Sequence, residues 1–350
     1  MFWRTKNPYA PAGKHCYVTG GTQGLGKALA KSLVQQGAHI TIVARDAERG
    51  ERVVKELQAL GKSSQIIQFI SADLSSADEA DRALRDALVP HQGLAPDYTF
   101  LCAGFAQPKY FVEYTKEEIE STMSGNYLTS AYPAHSLLSL LITQHRPGLL
   151  TFISSFAGLT SYAGYSTYSP SKFAVRGLAD ALRSEMQLHD GIRVHLFVPC
   201  GILSEGYERE IRTTPGITRK IEEADTPLVP EKCAEALELG LKKGHYQITD
   251  NVLTDIVRLR TNGGVPSNNS IFDLFFLFLS TVRLSRFYKP AFGAWEVEGE
   301  GMEELMDGMQ FAVPIWRMMC DSTVRAARKT IHQEYAQRGF FQGSGKGPAA

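Results

Sequence analysis

The sequence lacks an excess of charge of either sign. Lys plus Arg and Asp plus Glu each number 37 among 350 residues, so the formal net charge at pH 7 is zero. Nucleic-acid binding depends on a basic surface that neutralises phosphates, and this composition provides no such global field. We therefore expect no nucleic-acid partner.

Cysteine is scarce, and long hydrophobic runs are missing. The five cysteines are scattered without a Cys-x-x-Cys pair, which favours a reducing compartment over a disulfide-stapled secreted module. Neither the cysteines nor the histidines show paired metal-ligand spacing, so we expect no metal. The N-terminus lacks the apolar stretch of a signal peptide. No run approaches the roughly 20 apolar residues of a membrane-spanning helix.

Short apolar runs alternate with stretches of helical periodicity from His15 to about Thr249. The strand-like runs are residues 16–18, 39–44, 66–71, 98–102, 149–154, 194–198 and 246–249. The helical stretches between them include residues 25–36, 51–60, 76–88, 117–141 and 169–186. This alternation predicts an α/β fold, a doubly wound Rossmann-type parallel sheet of about seven strands covered by helices.

Glycines follow the first predicted strand, in the segment Gly20-Gly21-Thr22-Gln23-Gly24-Leu25-Gly26. Glycines at 20, 24 and 26 let the backbone turn tightly and approach a pyrophosphate, which the N-terminus of the following helix stabilises. A structural glycine turn is the alternative. The position between the first strand and the first helix favours a dinucleotide site.

Residues after the second and third predicted strands bear on which dinucleotide binds. Arg45 stands about 20 residues past the glycines, where an arginine suits the 2′-phosphate of NADPH and an acid suits the ribose of NAD. We therefore predict NADPH. The alternative is a solvated strand-end Arg45 beside Asp46 as a helix N-cap. Asp73, followed by Leu74, either borders the adenine or caps the next helix.

A phenol and an ammonium group stand four residues apart, at Tyr168 and Lys172, a spacing that places both on one helix face. The ordinary pKa of tyrosine is about 10, and lowering it to about 7 for proton transfer takes roughly 4 kcal/mol. A cation about 4 Å away in an effective dielectric of about 20 supplies that much. We therefore expect Lys172 to depress the pKa of Tyr168.

Two further polar residues suit the same chemistry. Ser155 follows the strand predicted at 149–154, at the carboxyl edge of the sheet, where its hydroxyl could bind a substrate carbonyl. Asn126 lies in a long helical stretch, and its amide could hold a water in a proton relay from Lys172. Each residue alone has a structural alternative. Their combination with the glycine loop points to reduction of a carbonyl.

The ordered set of these motifs resembles the short-chain dehydrogenase/reductases over about residues 15–250. The matching elements are Thr19-Gly20-x-x-x-Gly24-x-Gly26, Asn126, Ser155, Tyr168-x-x-x-Lys172 and Pro199-Cys200-Gly201. The resemblance implies hydride transfer from a nicotinamide, with Tyr168 as the proton donor and Lys172 also holding the nicotinamide ribose. It implies further cofactor contacts at Ala103, Gly104, Pro199, Gly201, Ile202 and Ser204, and frequent dimers built through two long helices.

Two positions depart from the family's pattern. Leu101-Cys102-Ala103-Gly104 stands where the family has Asn-Asn-Ala-Gly, so the first two positions have altered roles while the Ala-Gly turn is kept. Gln23 stands where many NADP-using members carry a basic residue, which leaves Arg45 to bear more of the cofactor specificity.

Within the family, three segments and the hydrophobic C-terminal extension resemble the branch that reduces 3-ketodihydrosphingosine (3-ketosphinganine) to dihydrosphingosine with NADPH. The segments are residues 168–182, Val43-Ala44-Arg45 and Asn126-Tyr127-Leu128. The resemblance implies a long-chain sphingoid ketone as substrate, in sphingolipid biosynthesis, at the cytosolic face of the endoplasmic reticulum membrane. A steroid or retinoid carbonyl is the alternative, because substrate identity lies in the loop at about 203–227. A non-catalytic NADP(H)-binding sensor or scaffold is a remote one.

The composition changes after residue 251, where a Gly/Pro/Asn-rich stretch at 263–269 precedes an aromatic run at 271–284. This run, with basic residues after it, is typical of an interfacial helix on a membrane surface. Packing as core is the alternative. We predict an N-terminal lead (1–14), an NADP-binding catalytic Rossmann domain (15–265), a hydrophobic helical membrane-associated extension (266–338) and a disordered tail (339–350).

Overall fold

A computed structural model describes residues 9–222 and 227–261 of the chain. The chain divides into two units, Met1–Thr254 and Asp255–Ala350, and only residues 255–261 of the second are described. The boundary predicted near residue 265, the extension at 266–338, the tail at 339–350 and the start of the N-terminal lead lie outside the described residues. Within the described part of the chain, no helix is long and apolar enough to cross a bilayer.

Seven parallel strands form the sheet of the first unit. They are β1 (His15–Thr19), β2 (His39–Ala44), β3 (Ile67–Ser71), β4 (Tyr98–Leu101), β5 (Gly148–Ile153), β6 (Ile192–Val198) and β7 (Gln247–Thr249). Their spatial order is β3-β2-β1-β4-β5-β6-β7. The predicted fold class is confirmed, and each predicted strand lies within two residues of an observed one.

Helices connect the strands, as parallel pairing requires. They are α1 (Gly24–Gln35), α2 (Ala47–Leu60), α3 (Ala77–Leu88), α4 (Lys116–Met123), α5 (Thr129–Thr143), α6 (Tyr168–Glu185), α7 (Glu205–Thr213), α8 (Gly216–Glu222), α9 (Pro230–Lys243) and α10 (Val252–Arg260). The helix predicted from residue 51 begins at Ala47, because the Asp46 side chain accepts a hydrogen bond from the Arg49 N–H at 2.9 Å and caps the first turn.

The order of the strands reverses between β1 and β4. Thr19 at the end of β1 pairs with Val43 of β2 on one side and with Leu101 of β4 on the other. The chain moves outward to β3 and then returns to β4, so the loops after β1 and β4 leave a crevice between them. Ligands of doubly wound sheets bind at such a switch point, beyond the carboxyl ends of the strands.

The prediction of one continuous helix over 117–141 is wrong in one respect. A π-helical turn at Ser124–Leu128 separates α4 from α5. The Asn126 amide nitrogen donates to the Thr122 carbonyl at 3.0 Å, which is the acceptor that an α-helical Asn126 main-chain N–H would use. Since the side chain takes this acceptor, the turn widens. Turns of this kind are frequent at functional sites.

The core explains why β1 and β5 are buried along their whole length. The five residues of β1 and the six of β5 are all buried, because helices cover both faces of the sheet. Phe100, Phe152 and Phe197 are fully buried in neighbouring strands, and Leu29 and Leu33 of α1 belong to the same buried cluster as Phe100 and Phe197. Full burial of each such side chain stabilises the fold by roughly 1.5–3 kcal/mol.

A buried carboxylate links the N-terminal lead to α1 and α9. Glu238 of α9 is 6% exposed and accepts hydrogen bonds from Tyr9 Oη at 2.9 Å, Ser32 Oγ at 2.8 Å and Gln36 Nε2 at 2.7 Å. Three donors therefore compensate for removing this acid from water. Glu235, one turn earlier on α9, is exposed and pairs with Lys232 at the surface.

We predict that Glu238→Ala destabilises the protein by about 3 kcal/mol, because it leaves three donors in a buried site without their acceptor. This corresponds to a fall in Tm of roughly 6–12 °C. The matched control Glu235→Ala should change stability by no more than about 0.5 kcal/mol. Thermal melting followed by circular dichroism measures both, and equal effects of the two changes would contradict the role given to Glu238.

Candidate active site

A cavity of about 980 Å³ opens at the carboxyl edge of the sheet, at the crevice between β1 and β4. Most residues predicted to form the site line it. They are Gly20, Thr22, Gln23, Gly24, Leu25, Gly26, Arg45, Asp73, Leu74, Ala103, Gly104, Ser155, Tyr168, Lys172, Pro199, Gly201, Ile202 and Ser204. Asn126 is the exception: its side chain is fully buried and does not line the cavity.

The glycine loop brings main chain close to the cavity. Gly20 has φ +63°, and a Cβ there would lie 2.9 Å from the Ala103 nitrogen. A Cβ on Gly26 would lie 2.5 Å from the Gly20 carbonyl oxygen. Gln23 precedes α1 without capping it through its side chain, so the first-turn N–H groups can receive an anion. This cradle fits the pyrophosphate of a dinucleotide.

Arginines gather at the outer end of the loop. Arg45 is exposed at the end of β2 and lines the cavity. Arg49 donates to Gln23 Oε1 at 2.8 Å, and Arg209 of α7 donates to the same oxygen at 3.3 Å. Asp46 caps α2, as one alternative proposed, yet this does not remove Arg45 from the site. The sequence reasoning missed Arg49. This residue lies in the first turn of α2, four residues after Arg45, and this proximity could have revealed it.

Asp73 closes a local turn. Its Oδ1 accepts hydrogen bonds from the Ser75 main-chain nitrogen at 3.0 Å and the Ser75 hydroxyl at 2.7 Å, and these bonds hold the pKa of Asp73 below its ordinary value. Helix α3 begins later, with Ser76 as its N-cap residue. The expectation that Asp73 caps this helix is therefore wrong, whereas its contact with adenine stays a prediction.

Tyr168 and Lys172 share the first turn of α6. Lys172 is buried, and its Nζ donates to the Ile153 carbonyl at the end of β5 at 3.1 Å. The same Nζ lies 5.7 Å from the centroid of the Tyr168 ring. The helix start and the strand end thus bring the ammonium group beside the phenol, as the four-residue spacing predicts.

Burial, rather than Lys172, dominates the protonation of the phenol. Burial raises the pKa of Tyr168 above its ordinary value and the charge of Glu210 adds to this, while a hydrogen bond from the Ser155 hydroxyl lowers it. Burial also lowers the pKa of Lys172, to about 8. The expected depression of the Tyr168 pKa is therefore wrong here, because desolvation of the phenolate and the charge of Glu210 raise the pKa. Tyr168 keeps its proton at neutral pH, the state that a proton donor requires.

Ser155 lies directly after β5, where the strand turns into a short 3-10 helix (Phe156–Gly158). Its hydroxyl oxygen accepts a hydrogen bond from the Ala157 nitrogen at 3.2 Å, and its hydroxyl also bonds the phenol of Tyr168. Both hydroxyls face the same cavity. If the Ser155 hydrogen turns from the phenol oxygen to a carbonyl oxygen, that oxygen can accept from Ser155 and Tyr168 together.

Asn126 braces the main chain behind the cavity. Its amide nitrogen donates to the carbonyls of Phe105 at 2.9 Å and Thr122 at 3.0 Å, and its Oδ1 accepts from the Phe105 nitrogen at 3.0 Å. Both amide hydrogens are therefore used, so a relay water would have to bind the second lone pair of Oδ1. The relay role of Asn126 stays a prediction, and its observed contacts are with protein backbone.

The Ala103-Gly104 turn is kept despite the replacement before it. Thr19 Oγ1 accepts from the Ala103 nitrogen at 3.1 Å, which ties the turn to β1. A Cβ on Gly104 would lie 2.6 Å from Asn126 Oδ1, so the turn requires glycine there. Leu101 is fully buried in β4, and burial raises the pKa of the Cys102 thiol to about 12. The thiol is therefore un-ionised.

The opposite end of the cavity carries acidic and phenolic groups that sequence reasoning did not single out. Tyr165 Oη hydrogen-bonds Glu210 of α7 and Glu222 of α8, the latter at 2.6 Å. Tyr162 donates to Glu222 at 3.4 Å. These four residues line the cavity. The two glutamates lie in the loop at 203–227, which carries no motif that could have revealed them.

Metal-binding geometry is not found in the described part of the chain: no group of three or more His, Cys, Asp or Glu side chains there could hold an ion. The groups that face the cavity are main-chain amides, hydroxyls and single charges. These are ligands for an anionic organic cofactor and a carbonyl.

A family model described as short chain dehydrogenase matches residues 14–214. The chain belongs to this family. A protein from Cryptococcus neoformans named 3-ketodihydrosphingosine reductase is 49% identical over 97% of this chain and 93% of its own length. Proteins of the same name from Aspergillus fumigatus and Bos taurus are each 33% identical, the first over 81% of this chain and 83% of its own length, the second over 68% and 71%.

Solved structures agree on the fold. A short chain dehydrogenase/reductase from Burkholderia phymatum in complex with NAD has a TM-score of 0.64 at 19% identity, covering 73% of this chain and 95% of its own. An alcohol dehydrogenase from Thermococcus sibiricus complexed with 5-hydroxy-NADP has a TM-score of 0.56 at 22% identity, covering 67% and 95%. Family membership makes the protein an oxidoreductase that acts on a carbonyl with a nicotinamide dinucleotide, and the glycine cradle fits that cofactor.

We predict that Tyr168→Phe lowers kcat for carbonyl reduction by about 100- to 10,000-fold, because the ring loses the hydroxyl that donates the proton. Binding of the dinucleotide, followed by the fluorescence of its reduced form, should be unchanged. Tyr132→Phe on α5, outside the cavity, is the control and should keep full activity. A Tyr168→Phe variant with wild-type kcat would refute the assignment of the proton donor.

Proposed function

We propose that the protein reduces 3-ketodihydrosphingosine to dihydrosphingosine with NADPH, as a step of sphingolipid biosynthesis. The observation that carries the proposal is the 49% identity, over nearly the whole chain, to a protein named for this reaction. The carbonyl-reducing set of Ser155, Tyr168 and Lys172 facing one cavity supports it independently.

The reaction uses each group in the state that the structure gives it. A bound NADPH would supply a hydride to the carbonyl carbon. Ser155 and Tyr168 hold the carbonyl oxygen, and Tyr168 donates its proton to that oxygen as negative charge develops there. Lys172, fixed by the Ile153 carbonyl, stabilises the phenolate that remains. Solvent protons then restore Tyr168.

We propose NADPH rather than NADH because two arginines lie at the rim of the cavity. Arg45 and Arg49 both line the region next to Gln23, where the 2′-phosphate of an adenine ribose would lie. Guanidinium groups bind phosphate through strong charge-assisted hydrogen bonds. NADH lacks this phosphate, so the arginines would gain nothing from it.

The place of action proposed is the cytosolic face of the endoplasmic reticulum membrane, with a homodimer or higher homo-oligomer as the assembled form. Support for membrane contact comes from the sequence of the aromatic run at 271–284, which lies outside the described residues. A long-chain ketone resides in a membrane, so an enzyme at that surface meets it without extracting it into water. Support for the dimer comes from family resemblance.

We predict that the detergent-purified full chain oxidises NADPH rapidly with 3-ketodihydrosphingosine and slowly with steroid or retinoid carbonyls. The loss of reduced-nicotinamide absorbance measures the turnover. Activity with a steroid or retinoid and none with the sphingoid ketone would keep the chemistry and reject the substrate. Binding of NADPH without turnover on any ketone would instead favour a sensor or scaffold.

We predict that Arg45→Ala raises the KM for NADPH by about 10- to 100-fold, because a charge-assisted contact to phosphate is lost. The KM for NADH should stay within about twofold, since NADH has no 2′-phosphate. Arg52→Ala is the matched control, an exposed arginine of α2 that pairs with Glu48 away from the cavity. An equal rise for both cofactors would show that Arg45 does not determine the preference.

A further inference from the structure

One carboxyl group of the substrate loop lies close to the proton donor. The Tyr165 and Tyr168 rings are in contact, with centroids 5.5 Å apart, and the Tyr165 hydroxyl hydrogen-bonds Glu210. Glu210 and Tyr168 line the same cavity. The carboxyl of Glu210 is therefore separated from the reacting phenol by a single tyrosine side chain.

The contacts of Tyr165 bring two carboxyl groups together on the cavity wall. Its hydroxyl has one hydrogen but lies within hydrogen-bond distance of two carboxyl groups, those of Glu210 and Glu222. One phenolic proton cannot serve both. Burial raises the pKa of Glu210 to about 7, and the charge of Glu222 adds to the shift. A second proton or a cation would relieve the repulsion between the two acids.

Two arginines near Glu210 in sequence donate to other groups. Arg209 donates to Gln23 at the cofactor end of the cavity, at 3.3 Å. Arg219 of α8 donates to the main-chain carbonyls of Thr214 at 3.2 Å and Ile211 at 2.8 Å. Glu210 itself lines the cavity, so a ligand bound there can bring a cation to its carboxyl group.

We propose that Glu210 binds the ammonium group of an amino ketone, positioned by Tyr165 and assisted by the charge of Glu222. The inference rests on the proposed function, because the sphingoid ketone carries its amine on the carbon next to the carbonyl. With the carbonyl oxygen on Ser155 and Tyr168, the amine lies one carbon from the reacting centre. The Tyr165–Glu210 pair is a polar group on the cavity wall next to Tyr168.

Binding of the ammonium group by Glu210 distinguishes the sphingoid ketone from a steroid or retinoid carbonyl. Neither of the latter carries a cation, so each would bury two acids against an apolar ligand at a cost in binding free energy. An ammonium group forms a charge-assisted hydrogen bond there instead. Glu210 is thereby a specificity-determining residue for the reaction.

The test compares kcat/KM for two ketones in the wild type and in two variants. The substrates are 3-ketodihydrosphingosine and 1-hydroxyoctadecan-3-one, which keeps the chain and the hydroxyl but lacks the amine. Glu210→Gln should lower kcat/KM for the amino ketone by about 10- to 100-fold, mainly through KM, because a hydrogen bond between charged groups is lost. Its kcat/KM for the des-amino ketone should change by less than about threefold. Glu208→Gln, an exposed change on α7, should match the wild type on both.

The ratio between the two substrates decides the outcome, because any effect of Glu210 on the protonation of Tyr168 acts on both ketones alike. An equal loss on both would show a structural role and overturn the inference. A wild type that reduces other ketones but not 3-ketodihydrosphingosine would overturn the proposed function itself. If Glu210→Gln does not fold, the wild type alone is informative: equal kcat/KM for the two ketones would reject ammonium recognition.

Discussion

The parallel alignment of seven strands is the constraint on which the site depends. It places the ends of β1, β2, β4, β5 and β6 at one edge of the sheet, so residues far apart in sequence face one cavity. Thr19 ties the Ala103-Gly104 turn to β1, and Ile153 at the end of β5 holds the Lys172 ammonium. A shift of one residue in β5 would turn this carbonyl away from Lys172. The register of the sheet is therefore part of the catalytic geometry.

Burial then sets the protonation of the groups at that edge. Desolvation disfavours every charged form, so it raises the pKa of Tyr168 and lowers that of Lys172 to about 8. The raised pKa lets the phenol hold the proton it must donate, and with a pKa of about 8 most of Lys172 still carries its charge at neutral pH and can stabilise the phenolate once it forms. Simple pair electrostatics in a medium of uniform dielectric omits the desolvation term, which is why it misjudged the direction of the Tyr168 shift.

The sequence predicted the features that depend on residues close together in the chain. The strands were found as short runs rich in apolar residues, and Tyr168, Lys172 and the glycine loop were found because their spacing is tied to a helix start. Asn126 was placed in a helix, but its side-chain contact with Phe105 depends on a loop 21 residues away in sequence. Glu210 and Glu222 lie on separate helices, and both hydrogen-bond Tyr165. Contacts of this kind require the tertiary fold, and no local periodicity records them.

The two ends of the cavity differ in their charged groups. Arg45 and Arg49 line the end where the glycine cradle receives phosphates, together with Asp46, whereas Glu210 and Glu222 line the cavity near Tyr165. Guanidinium groups at the first end can bind a phosphate, and carboxyl groups at the second can bind an ammonium group. Arg209 links the two ends, since it belongs to the same helix as Glu210 but donates to Gln23. Helix α7 therefore couples the cofactor side of the cavity to the acids that face the substrate, and its position bears on both ligands at once.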